Sequence, residues 1–259
     1  MNTQNPILEV SNLRKTFGAV VAANDININV HVGEVIGIIG ANGAGKTCFV
    51  NMVTGYLKPT SGSIKFEGQE LVGKATRDVT ISGISRSFQV SQVFTTMTVV
   101  ENISIALAIA ENRGMAALRP MASVALSEKC DEVLERYNMA SYKDQSVSVL
   151  SQGVRKLLDI AMAVISKPRI LLLDEPTSGI SVEEKFEFMD VVMGALRKDD
   201  VTVLFIEHDM EIIGRYVSRV LAFYQGEIIA DKPPIEALQD PKVQEFVIGK
   251  PHKKSKTGA

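Results

Sequence analysis

Eight residues, Gly40-Ala-Asn-Gly-Ala-Gly-Lys-Thr47, restrict this 259-residue chain more than any other stretch. They stand between a compact apolar run, Val35-Ile-Gly-Ile-Ile39, and a helix-forming stretch from Cys48 to Tyr56. Glycine at 40, 43 and 45 permits positive φ angles and close backbone approach, so the loop can curl with its amides pointing inward. The helix behind it offers free N–H groups and the positive end of its dipole. Such a loop cradles phosphates: Lys46 supplies charge to the β and γ phosphates, and the Thr47 hydroxyl suits Mg²⁺.

The rest of the chain alternates in a way that suits this loop. Ile7-Leu-Glu-Val10, Asp25-Ile-Asn-Ile-Asn-Val30 and Ser63-Ile-Lys-Phe66 read as short half-buried strands. From about residue 98 to 167 the spacing turns helical, with Val99, Ile103, Ala106 and Leu107 in register, then Cys130, Val133, Leu134 and Tyr137; loops interrupt it at Arg113-Gly-Met and Arg119-Pro. Beyond Pro168, a buried strand Ile170-Leu-Leu-Leu173, a helix over 182–197 and a strand Val201-Thr-Val-Leu-Phe-Ile206 succeed one another. Apolar strands alternating with helices predict a largely parallel sheet covered by helices. Arg219-Val-Leu-Ala-Phe-Tyr224 and Glu227-Ile-Ile-Ala230 form a hairpin around Gln225-Gly226.

Composition narrows the function classes. A formal net charge of -2 gives no basis for a nucleic-acid partner, and two cysteines, Cys48 and Cys130, make no disulfide framework, so the chain reads as cytosolic. No stretch approaches the roughly 18 apolar residues that cross a bilayer; 103–110 is far too short and includes Ser104. The polar start, residues 1–6, has no signal-peptide pattern, and the basic tail Lys250-Pro-His-Lys-Lys-Ser-Lys reads as a solvated end, with a contact to lipid headgroups as the alternative.

A second acidic site stands at Leu173-Asp174-Glu175, where an apolar strand delivers two carboxylates at its C-terminal end, the end at which parallel sheets bind ligands. Asp174 suits Mg²⁺, through water, and Glu175 suits the polarising of an attacking water. The two sites together fit kinases, GTPases and many ATPases.

Leu150-Ser-Gln-Gly-Val154 separates these, because it precedes the acidic strand and opens a helix over 154–166. The placement resembles the LSGGQ signature of the ABC-type ATPases. Further marks follow in order: Phe17 in Lys15-Thr-Phe-Gly18, Gln89 in Arg86-Ser-Phe-Gln89, Ser178-Gly-Ile-Ser181, and His208 in Phe205-Ile-Glu-His-Asp-Met210. The resemblance spans roughly residues 8–249. It implies an α/β P-loop NTPase fold with N-terminal antiparallel strands and an inserted helical subdomain. The expected organisation is one domain over 1–259: a core at 1–95 and 166–250, helices and signature at 96–165, and a tail at 251–259.

The resemblance also implies the site. ATP is held by Gly40, Asn42, Gly43, Ala44, Gly45, Lys46, Thr47 and Cys48, with Phe17 stacked on adenine. Mg²⁺ is held by Thr47, Gln89 and Asp174. Glu175 is the general base, with His208 and Gln89 at the γ-phosphate. Ser151, Gln152 and Gly153 reach the nucleotide of a second cassette, since the family's cassettes dimerise head to tail. Phe17 fits a second reading, packing under the N-terminal strands. Cys48 stands where a second Thr or Ser is usual, and reads as a small buried residue or as a redox-sensitive thiol. Gln152 and Val154 depart from the signature, and Ser181 from the D-loop aspartate.

Phe88-Gln-Val-Ser-Gln-Val-Phe94, Val99-Val-Glu-Asn102 and Glu207-His-Asp-Met210 resemble the branched-chain amino-acid importer ATPases and their relatives for urea and amides, as does the insertion over 113–121. That group implies transmembrane permease subunits gripped near Gln89 to Phe94, a second ATPase subunit of the same or a related chain, an extracytoplasmic solute-binding protein, and a peripheral place on the cytoplasmic face of the inner membrane. An exporter of lipid or lipopolysaccharide shares the same core motifs. A non-transport ABC factor expects two cassettes or a long coiled coil, and neither is seen. The solute contacts other chains, so the motifs do not encode it.

Overall fold

The computed structural model describes residues 5–87, 91–111 and 124–249. Gln89, the insertion over 113–121 and the basic tail therefore lie outside the described residues. The chain divides into two compact units, Met1–Val79 with Leu204–Ala259, and Thr80–Val203. The segment bounds at 95/96 and 165/166 drawn from helical spacing both fall inside the second unit, because strand pairing there joins residues from either side of them.

The first unit opens with β1 (Leu8–Phe17) and β2 (Val20–Val30), joined by Gly18-Ala19 and paired antiparallel. Both run longer than Ile7–Val10 and 25–30. A register shift between Val10 and Leu13 carries β1 past polar Ser11-Asn12, and Asn12 sits at φ 48° with its amide donating to Asp25 Oδ1 at 3.0 Å. The bulge returns Leu13 to the buried face, where it is fully enclosed. Strands β4 (Ser61–Phe66) and β5 (Gln69–Glu70) complete the antiparallel sheet in the order β2-β1-β4-β5, with β3 (Val35–Gly40) lying outside it.

Strand β3 pairs parallel with β9 (Arg219–Tyr224), which turns at Gln225-Gly226 into antiparallel β10 (Glu227–Lys232), as the hairpin reading expects. Ile36, Ile38 and Ile39 are fully buried, as a strand enclosed on both faces requires. Gly37 is needed for packing: a Cβ there would meet Ile213 Cδ1 at 2.7 Å. Helix α1 (Lys46–Val53) follows β3.

In the second unit, α2 (Thr76–Ser82), which begins in the first unit, leads to β6 (Ile84–Ser87), a strand the sequence pattern does not isolate. Helices α3 (Val99–Ala110), α4 (Val124–Arg136) and α5 (Gln152–Ile165) make the predicted helical stretch. Thr98 and Glu101 form a reciprocal capping box that fixes the start of α3. Strand β7 (Ile170–Asp174) pairs parallel with β6, and α6 (Lys185–Lys198) follows. Helix α6 starts three residues later than expected, because 182–184 form a turn. Strand β8 (Thr202–Ile206) begins in this unit and ends in the first, which continues with α7 (Met210–Tyr216), α8 (Pro234–Gln239) and α9 (Pro241–Val243). Among the described residues, no helix is long and apolar enough to cross a membrane.

Candidate functional site

The glycine loop sits at the end of β3, and its curvature is set by backbone approach. Gly45 caps α1 at φ 105°, and a Cβ on it would lie 2.5 Å from the Ala22 carbonyl of β2. Any other residue would push β2 away from the loop. Gly40 is hemmed in likewise, with Phe223 O at 2.5 Å from where its Cβ would stand. Gly43, at φ 79°, has open space around it, so only its dihedral angle requires glycine. The Ala44 carbonyl accepts from Gly226 N at 2.9 Å, and the Gly226 carbonyl accepts from Asn24 N at 2.8 Å. Lys46 is buried, and its ammonium donates to the carbonyls of Gly40 at 2.6 Å and Ala41 at 3.1 Å. This holds the charge over the loop. Asn42 and Thr47 are exposed, and α1 begins at Lys46, two residues before the expected start.

Phe17 stands at the tip of the β1–β2 hairpin and is 52% exposed, so it does not pack under the strands. With Val20 and Val21, also exposed, it makes an apolar ledge, and Lys15 Nζ lies 5.0 Å from its ring centroid. Cys48 is half-buried on α1; burial pushes its thiol up, against a smaller opposing pull from Lys15.

His208 follows β8 with its side chain exposed. Its backbone amide donates to buried Glu207 Oε2 at 2.9 Å, and Asp209 caps α7 by accepting from Glu211 N at 2.9 Å. Glu207 therefore fixes the turn that presents the histidine.

In the second unit β7 is buried from Ile170 to Leu173 and ends at Asp174. The parallel register of β6 with β7 brings in Arg86, whose Nη2 bonds Asp174 Oδ2 at 2.5 Å with both side chains about nine-tenths buried. Sequence reasoning passes over Arg86, because only the strand register shows what faces Asp174. Glu175 takes the left-handed conformation, φ 49°, that residues with a Cβ seldom adopt.

Ser151 is the N-cap of α5, with its Oγ accepting from Val154 N at 3.4 Å, so the helix starts at Gln152 rather than at 154. A Cβ on Gly153 would meet only Ile180 Cδ1, at 4.0 Å. Crowding within the chain does not demand that glycine. Ser181 caps the turn ahead of α6, accepting from Glu184 N at 3.3 Å and donating to Glu184 Oε2 at 3.1 Å. Asp159 of α5, also missed in the sequence, is buried and accepts from Ser87 Oγ and, at 2.8 Å, from Gln92 N.

Comparisons with known proteins agree with this arrangement. Residues 23–178 match the ABC transporter family. The high-affinity branched-chain amino acid transport ATP-binding protein BraF of Pseudomonas aeruginosa is 34% identical over 94% of this chain and 98% of its own. LivG of Escherichia coli K12, which carries the same description, is 32% identical over the same shares. The crystal structure of the ADP conformation of MJ1267, an ATP-binding cassette of an ABC transporter, superposes with a TM-score of 0.80 at 29% identity, covering 96% of this chain and all of that one. A nucleotide loop at the end of β3, carboxylates at the end of β7 and a serine-capped α5 are thus found in a chain that belongs to the ABC transporter family and serves as its ATPase.

Proposed function

We propose that this ATPase drives the import of a branched-chain amino acid, or of a similarly small polar solute such as urea or an amide, through permease subunits on other chains. The observation that carries the reading is the nearly full-length likeness to BraF and LivG, at 34% and 32% identity. In the first unit, Gly40, Asn42, Gly43, Ala44, Gly45, Lys46, Thr47 and Cys48 hold the triphosphate, and Phe17 offers its exposed ring to adenine. His208 serves the γ-phosphate. In the second unit, Glu175 polarises the attacking water. Ser151, Gln152 and Gly153 complete the nucleotide site of a second cassette, of the same or a related chain. The unforced glycine at 153 supports this, since an incoming ligand can use the space.

Thr47 and Asp174 are assigned to Mg²⁺, with Gln89 by family resemblance. Among the described residues no three His, Cys, Asp or Glu side chains gather into a metal site. Hydroxyl and carboxylate donors suit an ion that completes its shell from phosphates and water. When bound, Mg²⁺ neutralises charge on the β and γ oxygens.

Phe94 is 47% exposed, and buried Asn102 fixes its backbone, with Oδ1 accepting from Phe94 N at 2.8 Å. We assign this ridge to the permease's cytoplasmic loops and place the chain peripherally on the cytoplasmic face, with an extracytoplasmic binding protein delivering the solute. ATP closes two cassettes and hydrolysis parts them, a shift set by the closed state's greater affinity for ATP. The test is reconstitution with the permease subunits that the chain binds and a branched-chain amino-acid-binding protein, following uptake of labelled leucine. Glu175→Gln is expected to keep ATP binding and to cut turnover by about 10² or more, with loss of uptake. Near-normal hydrolysis contradicts the base assignment, and outward transport of lipid in place of leucine uptake contradicts import.

A further inference from the structure

Helix α5 carries two side chains, Lys156 and Gln152, that reach the loop holding Glu175. The Lys156 ammonium, on a residue only 4% exposed, donates to the Glu175 carbonyl at 2.8 Å and the Pro176 carbonyl at 3.2 Å. Gln152 Nε2 donates to the Ser178 carbonyl at 3.4 Å. Its amide lies flat over Gly179, where a Cβ would come within 2.5 Å of it. The loop between these bonds starts with Glu175 at φ 49°. A residue with a Cβ keeps such a conformation only where its surroundings over-determine it, and here one ammonium grips two successive carbonyls at that turn.

We infer that Lys156, assisted by Gln152, is a positioning residue for Glu175, fixing the left-handed turn and with it the direction of the carboxylate. The inference rests on the reading of Glu175 as general base. It gives the non-consensus Gln152 a purpose: the amide that replaces a glycine ties the signature helix to residues 178–179.

The experiment compares variants in the assembled transporter, with thermal unfolding as a check on folding. Lys156→Met keeps length and burial but removes both bonds. It is expected to lower kcat about tenfold while KM for ATP stays within about twofold, the pattern of a lost transition-state arrangement. Lys156→Arg, which can donate to both carbonyls, is expected to recover kcat to within about threefold of wild type, and Gln152→Gly to lower it about twofold to threefold. Wild-type kcat in Lys156→Met, or kcat and KM changing together, overturns the inference and leaves the base assignment standing where Glu175→Gln is inactive. Turnover in Glu175→Gln overturns both. Should Lys156→Met fail to fold, Gln152→Gly and Gly179→Ala disturb the same loop, and unchanged kcat in both overturns the inference.

Discussion

The phosphate loop over 40–47 and the loop over 175–181 are both short, irregular and backed by a helix, and in each a lysine ammonium donates to two carbonyls, yet they differ in what else confines them. The first is shaped by main chain against main chain: Gly45 against the Ala22 carbonyl, Gly40 against that of Phe223, and Ala44 bonded to Gly226. The second is held by side chains, namely Lys156 on the carbonyls of 175 and 176, Gln152 on that of 178, and the Ser181–Glu184 cap. Where backbone meets backbone only glycine fits, so positions 40 and 45 admit no other residue without a shift of the facing strand. Where side chains reach across, other pairs can make equivalent bonds, so the second loop is free to depart from its family's pattern, as Gln152 and Ser181 do.

Three substitutions sharpen or break this contrast. The largest loss is expected for Arg86→Met, which leaves the Asp174 carboxylate buried without that partner. About 3 kcal/mol should disappear from the urea unfolding free energy, and adding Asp174→Leu should restore part of it, because the pair then leaves together. Equal losses in single and double variants contradict the buried-pair account. Gly45→Ala comes next, at about 2 kcal/mol for a methyl forced against Ala22 O at φ 105°. Nucleotide affinity, followed by fluorescent-ATP titration, should fall with it; an alanine variant of full stability and affinity removes the main-chain side of the comparison. Ser181→Ala is the smallest, about 1 kcal/mol for a lost cap, with Ser181→Asp close to wild type by thermal melting. An effect on Ser181→Ala as large as that on Gly45→Ala would erase the difference between the loops.

The same contrast explains what can be read from the sequence. The glycine loop, the apolar strand ending in Asp174-Glu175 and the β9–β10 hairpin are legible because each is a local pattern: φ freedom, continuous apolarity, a two-residue turn. The lengths of β1 and β2 are not, because a bulge at Asn12 continues the strand through residues that break alternation. Arg86, Lys156 and Asp159 are not, because what a polar side chain faces depends on strand register or on the helix packed opposite. Phe17 stands between two readings until its exposure at a hairpin tip decides against the core. Apolar spacing starts helix α6 too early, because the turn over 182–184 obeys Ser181 instead.

The bond from Gly226 to Ala44, with Asn24 bonded to Gly226 in turn, has a consequence for biosynthesis. A nascent chain carries its entire glycine sequence long before Gly226, the residue that clasps it, is made. Closing so long a loop is entropically costly and slow. Early chain therefore waits without a finished cradle, and a ligand that binds the completed cradle in preference to the unfolded chain draws folding forward by mass action.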